Sequence, residues 1–264
     1  MVNIIKQIIP PFFINCYKIL NSKKIKFYSD WQEALVNSKG YDSQELINKL
    51  LLSAKFVYDG EKAFERDGIT FDKLEFNWPL LSSILYSTRN NNNCILDFGG
   101  GFGSTYFQHK NFLDFKPELK WIVLEQKGII KLANQNFNSE TLIFSSNINE
   151  VNKFKPQTLL LSSVLHYLED PYKELKGILS IASIKYIVID RTPFFCENSK
   201  SKIVVQKVKN IVYKTSYPHW IFNAEQLLSF FRKNKFKIFT EWEAIGDKNK
   251  TFSHKGFLLV KKII

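Results

Sequence analysis

The chain has 264 residues, 45% of them hydrophobic, which excludes wholesale disorder and allows one large domain, or one domain with an added N-terminal piece. Its net charge of +12 comes from 37 Lys and Arg against 25 Asp and Glu; the lysines are scattered, which reads as a solvated surface, with attraction to anionic lipid, nucleic acid or a phosphorylated substrate as the alternative. Cys16, Cys94 and Cys196 are far apart and form no Cys-x-x-Cys pair, which fits a reducing cytoplasm and argues against a disulfide framework or a zinc site.

Residues 1–28 read as an arm. Ile4, Ile5, Ile8, Ile9, Phe12, Phe13 and Ile14 are apolar, with Lys6, Lys18, Lys23, Lys24 and Lys26 around them, and Pro10-Pro11 breaks any helix there. The stretch is too short and interrupted for a membrane span, and it lacks the small-residue cleavage site of a signal peptide. It either packs on the domain or rests on a membrane surface, in which case the protein is peripheral on the inner face. Residues 29–90 read as a helical cover. Asp30 can cap Trp31 to Val36, and Asp42 or Ser43 can cap Gln44 to Val57, with Leu46, Leu50, Leu51 and Ala54 on one face. Glu65-Arg66-Asp67-Gly68 reads as a charged turn, either solvated or folded over a site. Pro79 stands at the start of an apolar helix, Leu80 to Leu85, where proline is tolerated. Asn90 to Asn93 form a polar linker.

Residues 91–264 read as the main domain. Cys94 to Phe98 is a short apolar run containing Asp97, and it breaks into Gly99, Gly100, Gly101 and Gly103. This predicts a buried strand, a tight turn and a helix starting near Ser104. Glycines let backbone approach a ligand that side chains would push away. Trp121 to Glu125 is a second apolar run ending in an acid, at the distance one βαβ unit needs. Glu125 can accept both hydroxyls of a ribose. A dinucleotide fingerprint wants Gly-x-Gly-x-x-Gly, but Ser104 stands at the third glycine position counted from Gly99. S-adenosylmethionine (SAM) has no phosphate and carries a sulfonium cation, so it favours an acid before the loop, where Asp97 sits. Thr141 to Phe144 is a third strand, followed by Ser145, Ser146 and Asn147 rather than an acid. Thr158 to Ser162 is a fourth strand, and Asp170 caps a helix beginning at Pro171. Tyr186 to Asp190 is a fifth strand, ending in Arg191-Thr192-Pro193. Asn223 to Phe231 is a further helix. Phe236 to Trp242 and Gly256 to Val260 form a late antiparallel hairpin. The predicted class is therefore α/β: a Rossmann-like, seven-stranded, mostly parallel sheet with helices on both faces, an antiparallel final strand and a helical N-terminal extension.

The Asp-x-Gly-x-Gly pattern of Asp97, Gly99 and Gly101 resembles the first motif of class I SAM-dependent methyltransferases. Further segments occur in order: Ser29-Asp30-Trp31-Gln32-Glu33-Ala34, Gly40-Tyr41-Asp42, Glu65-Arg66-Asp67-Gly68, Ser163-Val164-Leu165-His166-Tyr167, Asp190-Arg191-Thr192-Pro193 and Tyr217-Pro218-His219-Trp220. With the glycine motif they resemble a family of bacterial methyltransferases encoded with surface-polysaccharide (capsule or O-antigen) biosynthesis enzymes, over most of the chain from Ser29 onward. The resemblance implies SAM as methyl donor and a sugar or nucleotide-linked sugar as O-methyl acceptor, with no nucleic acid partner. The cofactor would then meet Asp97, Gly99, Gly100, Gly101, Glu125, Gln126 and Ser163. With no acid after the third strand, Asn147 or Ser146 would replace the usual contact to the adenine amine.

A sugar hydroxyl needs a general base, and histidine has the suitable pKa. His166 follows the fourth strand and is either that base or a residue shaping the cofactor pocket. His219 lies in the aromatic segment Tyr213 to Phe222 and is either the base or a packed lid residue. Tyr217, Trp220 and Phe222 can stack on a sugar face. Asp190 can orient a histidine. Arg191 can hold a carboxylate or phosphate on the acceptor, or sit in a buried ion pair. No Asp/Glu/His cluster has the spacing of a magnesium site, so no metal is expected. The main rival is an NAD(P)-dependent reductase, suggested by Tyr172 and Lys176; their Tyr-x-x-x-Lys spacing sits one helix too early. An RNA or small-molecule methyltransferase is a second, but the Asn/Asp-Pro-Pro-aromatic motif of base methylation is absent at Ser162-Ser163-Val164. A third is a non-catalytic module that keeps the fold for interaction.

Overall fold

The computed structural model describes residues 25–38, 44–89, 93–114, 116, 118–137, 139–209, 214–246 and 248–262. The arm over 1–24, the Gly40-Tyr41-Asp42 segment and the cap expected at Asp42 or Ser43 lie outside the described residues. No helix among the described residues is long and apolar enough to cross a membrane.

The centre is a seven-stranded sheet. It contains β4 (Cys94–Phe98), β5 (Lys120–Leu124), β6 (Leu142–Ser145), β7 (Thr158–Ser162), β8 (Tyr186–Phe195), β11 (Phe236–Glu243) and β12 (Phe252–Lys261), in the order β11-β12-β8-β7-β4-β5-β6. Neighbours from β8 through to β6 pair in parallel, and β12 is inserted antiparallel between β8 and β11. This is the expected Rossmann-like architecture, with its antiparallel final strand. Successive side chains of a strand point to opposite faces. Leu96, Ile122, Leu159 and Ile187 therefore join one core, under α7 (Pro171–Leu179) and α8 (Ala224–Lys233). Ile95, Trp121, Val123, Leu160 and Val188 join the other, under α2 (Gln44–Tyr58), α3 (Trp78–Ser87) and α5 (Lys127–Asn136). Burial on both faces is why these strands read as continuous apolar runs.

Side-chain caps fix the helix starts. Asp30 accepts from Glu33 N (2.8 Å) at α1 (Trp31–Val36), and Asp170 accepts from Lys173 N (3.0 Å) at α7. Asn223 accepts from Gln226 N (2.8 Å) at α8. At α3 the cap is Asn77, whose Oδ1 accepts from Leu80 N (3.3 Å), so the helix opens at Trp78 with Pro79 in its first turn.

Three segments differ from the sequence reading. The charged turn at 65–68 is the tip of a hairpin, β2 (Phe64–Arg66) with β3 (Ile69–Phe71). Asp67 (φ 53°) and Gly68 (φ 76°) supply the two left-handed residues that a two-residue hairpin loop requires. The fifth strand does not stop at Asp190 but runs on to Phe195 through Arg191, where φ is 50°. The stretch read as an aromatic lid is instead strand β10 (Lys214–Ile221), paired with β9 (Lys202–Lys209) and, through it, with β1 (Phe27–Tyr28), in a separate three-stranded sheet.

Candidate active site

The carboxyl ends of the parallel strands open into a cleft of about 910 Å³. Its floor is the glycine turn between β4 and α4 (Ser104–His109). Gly99 N donates to Leu124 O (3.0 Å), which ties the turn to β5. A Cβ on Gly99 would lie 2.3 Å from Val164 Cγ2, and one on Gly100 would lie 2.5 Å from Asp97 Cγ. Neither position tolerates a side chain. At Gly101 (φ 58°) a Cβ would meet nothing within 4 Å, so bare backbone faces open space.

Asp97 lines the cleft from beneath the turn and is 1% exposed. Its Oδ2 accepts from Trp121 Nε1 (3.0 Å), and burial pushes its carboxyl up to about 7. Glu125, at the end of β5, lines the cleft and accepts from Gln126 N (2.7 Å), which also lines it. Past β6, Asn147 Oδ1 caps α6 (Ile148–Lys153) by accepting from Asn149 N (2.9 Å), while Ser146 lines the cleft. Ser163 (φ 57°) lines the cleft after β7 and donates its N–H to Asp190 O (2.9 Å).

Of the two readings of the 65–68 turn, solvated or folded over a site, the structure shows the second, although sequence reasoning assigned Glu65 no role of its own. The β2–β3 hairpin folds over the cleft and leaves this carboxylate 6% exposed among the lining residues. Ser104 Oγ, at the first residue of α4, donates to Glu65 Oε1, and Gly68 N donates to Oε2 (3.0 Å). Burial drives its carboxyl up to about 7. The readable signal was the Asp67-Gly68 pair between apolar β-formers, which places Glu65 two residues before the loop.

The cleft is also lined by Asp190, Arg191, Tyr167, Tyr217 and Gln206. Asp190 is buried, and burial raises its carboxyl. Its oxygens accept from Trp242 Nε1 (2.9 Å) and Asn77 Nδ2 (2.9 Å). It orients no histidine, contrary to expectation. Arg191 Nη2 donates to Asp67 Oδ1 at 3.3 Å. Trp220 does not line the cleft: its Nε1 donates to Leu168 O (3.0 Å) and its ring stacks on Trp31 at 6.3 Å, so it is packing and not a sugar platform.

The two histidines expected as bases are elsewhere. His166 and His219 are 2% and 7% exposed and neither lines the cleft. Their rings lie 5.8 Å apart, with His254 6.4 Å from His166. The Nδ1 atoms of His166 and His219 have no hydrogen-bond partner. Burial holds His166 well below its ordinary pKa and His219 down to about 3, and the neighbouring histidines push the same way. His219 lies on the small sheet and His254 on the large one, with His166 in the turn after β7 between them. Among the described residues no group of three or more His, Cys, Asp or Glu is arranged to hold a metal ion.

No family model and no curated protein matches the chain. Solved structures do show likeness. One is a glycopeptide N-methyltransferase in complex with SAM, 10% identical over 69% of this chain and 87% of that one, with a TM-score of 0.45. A SAM-dependent methyltransferase from Methanosarcina mazei is 15% identical over 67% and 96% of the two chains (TM-score 0.46). A 1,6-didemethyltoxoflavin-N1-methyltransferase from Burkholderia thailandensis is 15% identical over 85% and 93% (TM-score 0.46).

Proposed function

We propose that the protein is a SAM-dependent methyltransferase acting on a hydroxyl of a sugar or nucleotide-linked sugar. One observation carries the cofactor: three carboxylates, Asp97, Glu125 and Glu65, surround the bare glycine turn, and Glu65 sits on the first residue of α4. A dinucleotide would lay its pyrophosphate at that helix N-terminus. A buried acid there repels phosphate and suits a ligand bearing sulfonium and ammonium charges. The space over Gly101 lets the ligand lie against backbone, Glu125 can accept both ribose hydroxyls, and Ser146 faces the adenine end. When bound, the cofactor supplies the electrophilic methyl group. The chain's part is to hold it, to exclude water beneath the hairpin, and to present the acceptor beside Tyr167 and Tyr217.

The sugar acceptor is supported by the sequence resemblance and by these two tyrosines, whose rings meet edge-on at 5.0 Å in the cleft. The experiment is incubation with methyl-labelled SAM and a panel of free, phosphorylated and nucleotide-linked sugars, read by mass spectrometry and NMR of the products. Label on a sugar oxygen is the expected result. Label on nitrogen-containing acceptors only would refute the hydroxyl assignment.

A further inference from the structure

Arg191 sits where β8 and β12 lose register. Thr192 pairs with Lys255 and Ile189 with Phe257, so Asp190 and Arg191 together stand opposite Gly256. A residue inserted this way re-aims a side chain, and here it turns Arg191 into the cleft at a backbone φ of 50°. A non-glycine residue held left-handed within a strand is strained, and such strain concentrates at functional sites.

The guanidinium is poorly served by the protein. Its side chain is 19% exposed, yet Nε has no hydrogen-bond partner. Nη2 reaches Asp67 through one oxygen at 3.3 Å, and Asp67 is itself 67% exposed on the hairpin tip. An ion pair with a solvated partner contributes little, so a ligand can displace it at small cost. Asp190, the adjacent acid, already accepts from Asn77 and Trp242. Tyr167 acts on the guanidinium electrostatically, and its hydroxyl donates to Gln206 Oε1 (3.3 Å); Tyr217 lines the same cleft. Arginine's planar fork matches the two oxygens of a carboxylate or phosphate.

We propose that the acceptor is an anion, carrying a carboxylate or phosphate that Arg191 takes in place of Asp67. The proposal rests on the methyltransferase reading and names its substrate class.

The test uses the full chain saturated with S-adenosylhomocysteine, titrated calorimetrically with glucuronic acid, glucose 1-phosphate and glucose. At least one anionic probe should bind at least ~10-fold more tightly than glucose. The two anionic arms show whether the group is a carboxylate on the ring or a phosphate at the anomeric carbon. Arg191→Gln should lose roughly 10–100-fold of that affinity, the range for hydrogen bonds between charged groups, and bind S-adenosylhomocysteine as the wild type does. Arg191→Lys keeps the charge and loses the fork, and should fall between the two, which covers the case that Arg191→Gln does not fold. Equal binding of all three sugars, no binding of either anion at millimolar concentration, or unchanged anion affinity in both variants would overturn the proposal. So would a loss of S-adenosylhomocysteine affinity in Arg191→Gln matching the loss for the anion, since Arg191 would then serve the cofactor. Failure of the wild type to bind S-adenosylhomocysteine at all refutes the methyltransferase reading instead.

Discussion

Two groups of buried titratable side chains lie at the same end of the large sheet. Around the glycine turn, Asp97 and Glu65 are desolvated by the fold, yet both line the cleft. Where the small sheet meets the large one, His166 and His219 are equally buried, but they face each other and His254. Desolvation moves both groups toward their neutral forms. Access separates them: the carboxylates line the cleft, whereas His166 and His219 do not.

The sharpest way to break this contrast is a pair of substitutions. A positioned general base is worth about 10²–10⁴-fold in turnover. If the histidines only pack, His166→Ala and His219→Ala should each stay within a few-fold of wild-type turnover at saturating acceptor. Each should still cost stability, about 2–4 kcal/mol in chemical denaturation, because a large buried ring leaves a cavity. A drop of 10²-fold or more in either folded variant would restore histidine as base. Glu65→Gln should behave the other way. It should weaken SAM by roughly 10–100-fold, the loss expected for hydrogen bonding to a charged group. An unchanged SAM dissociation constant in Glu65→Gln would remove Glu65 from the cofactor site.

Stability against pH gives a smaller effect of opposite sign in the two regions. Glu65 and Asp97 have folded pKa values of about 7, above the ordinary 4.5 and 3.8. Each contributes stability that is present below its unfolded pKa and lost as pH rises toward 7. His219, depressed from 6.5 to about 3, contributes stability that is present above 6.5 and lost as pH falls toward 3. Between pH 4.5 and 6.5, therefore, raising the pH should lower the melting temperature of the wild type relative to Glu65→Gln. Over the same range it should raise that of the wild type relative to His219→Ala. Parallel curves for wild type and variant in either pair would contradict the corresponding shift.

The parallel core was legible in the sequence because double-faced burial demands unbroken apolar runs, and Cys94 to Phe98, Trp121 to Leu124 and Tyr186 to Ile189 supply them. The glycine turn was legible for the same reason: Gly99, Gly100 and Glu125 must follow their strands directly. The setting of Arg191 and Tyr217 was not. It is assembled from the β2–β3 hairpin, the bulge at Arg191 and the small sheet, which are brought together only by tertiary packing. On β10, Tyr217, His219 and Ile221 share one face and Pro218 and Trp220 the other, in a register that no local pattern gives, since β9 and β1 decide which face is covered. Asp190 looked available because its partners, Asn77 and Trp242, lie 113 and 52 residues away.

Acids around a bare glycine turn should select a cationic, phosphate-free nucleoside ligand. Calorimetric titration of the wild-type chain with SAM and, separately, with NAD tests it directly. The account predicts saturable SAM binding, weakened in Glu125→Ala, and no heat from NAD. Tight binding of NAD with no SAM signal would contradict it.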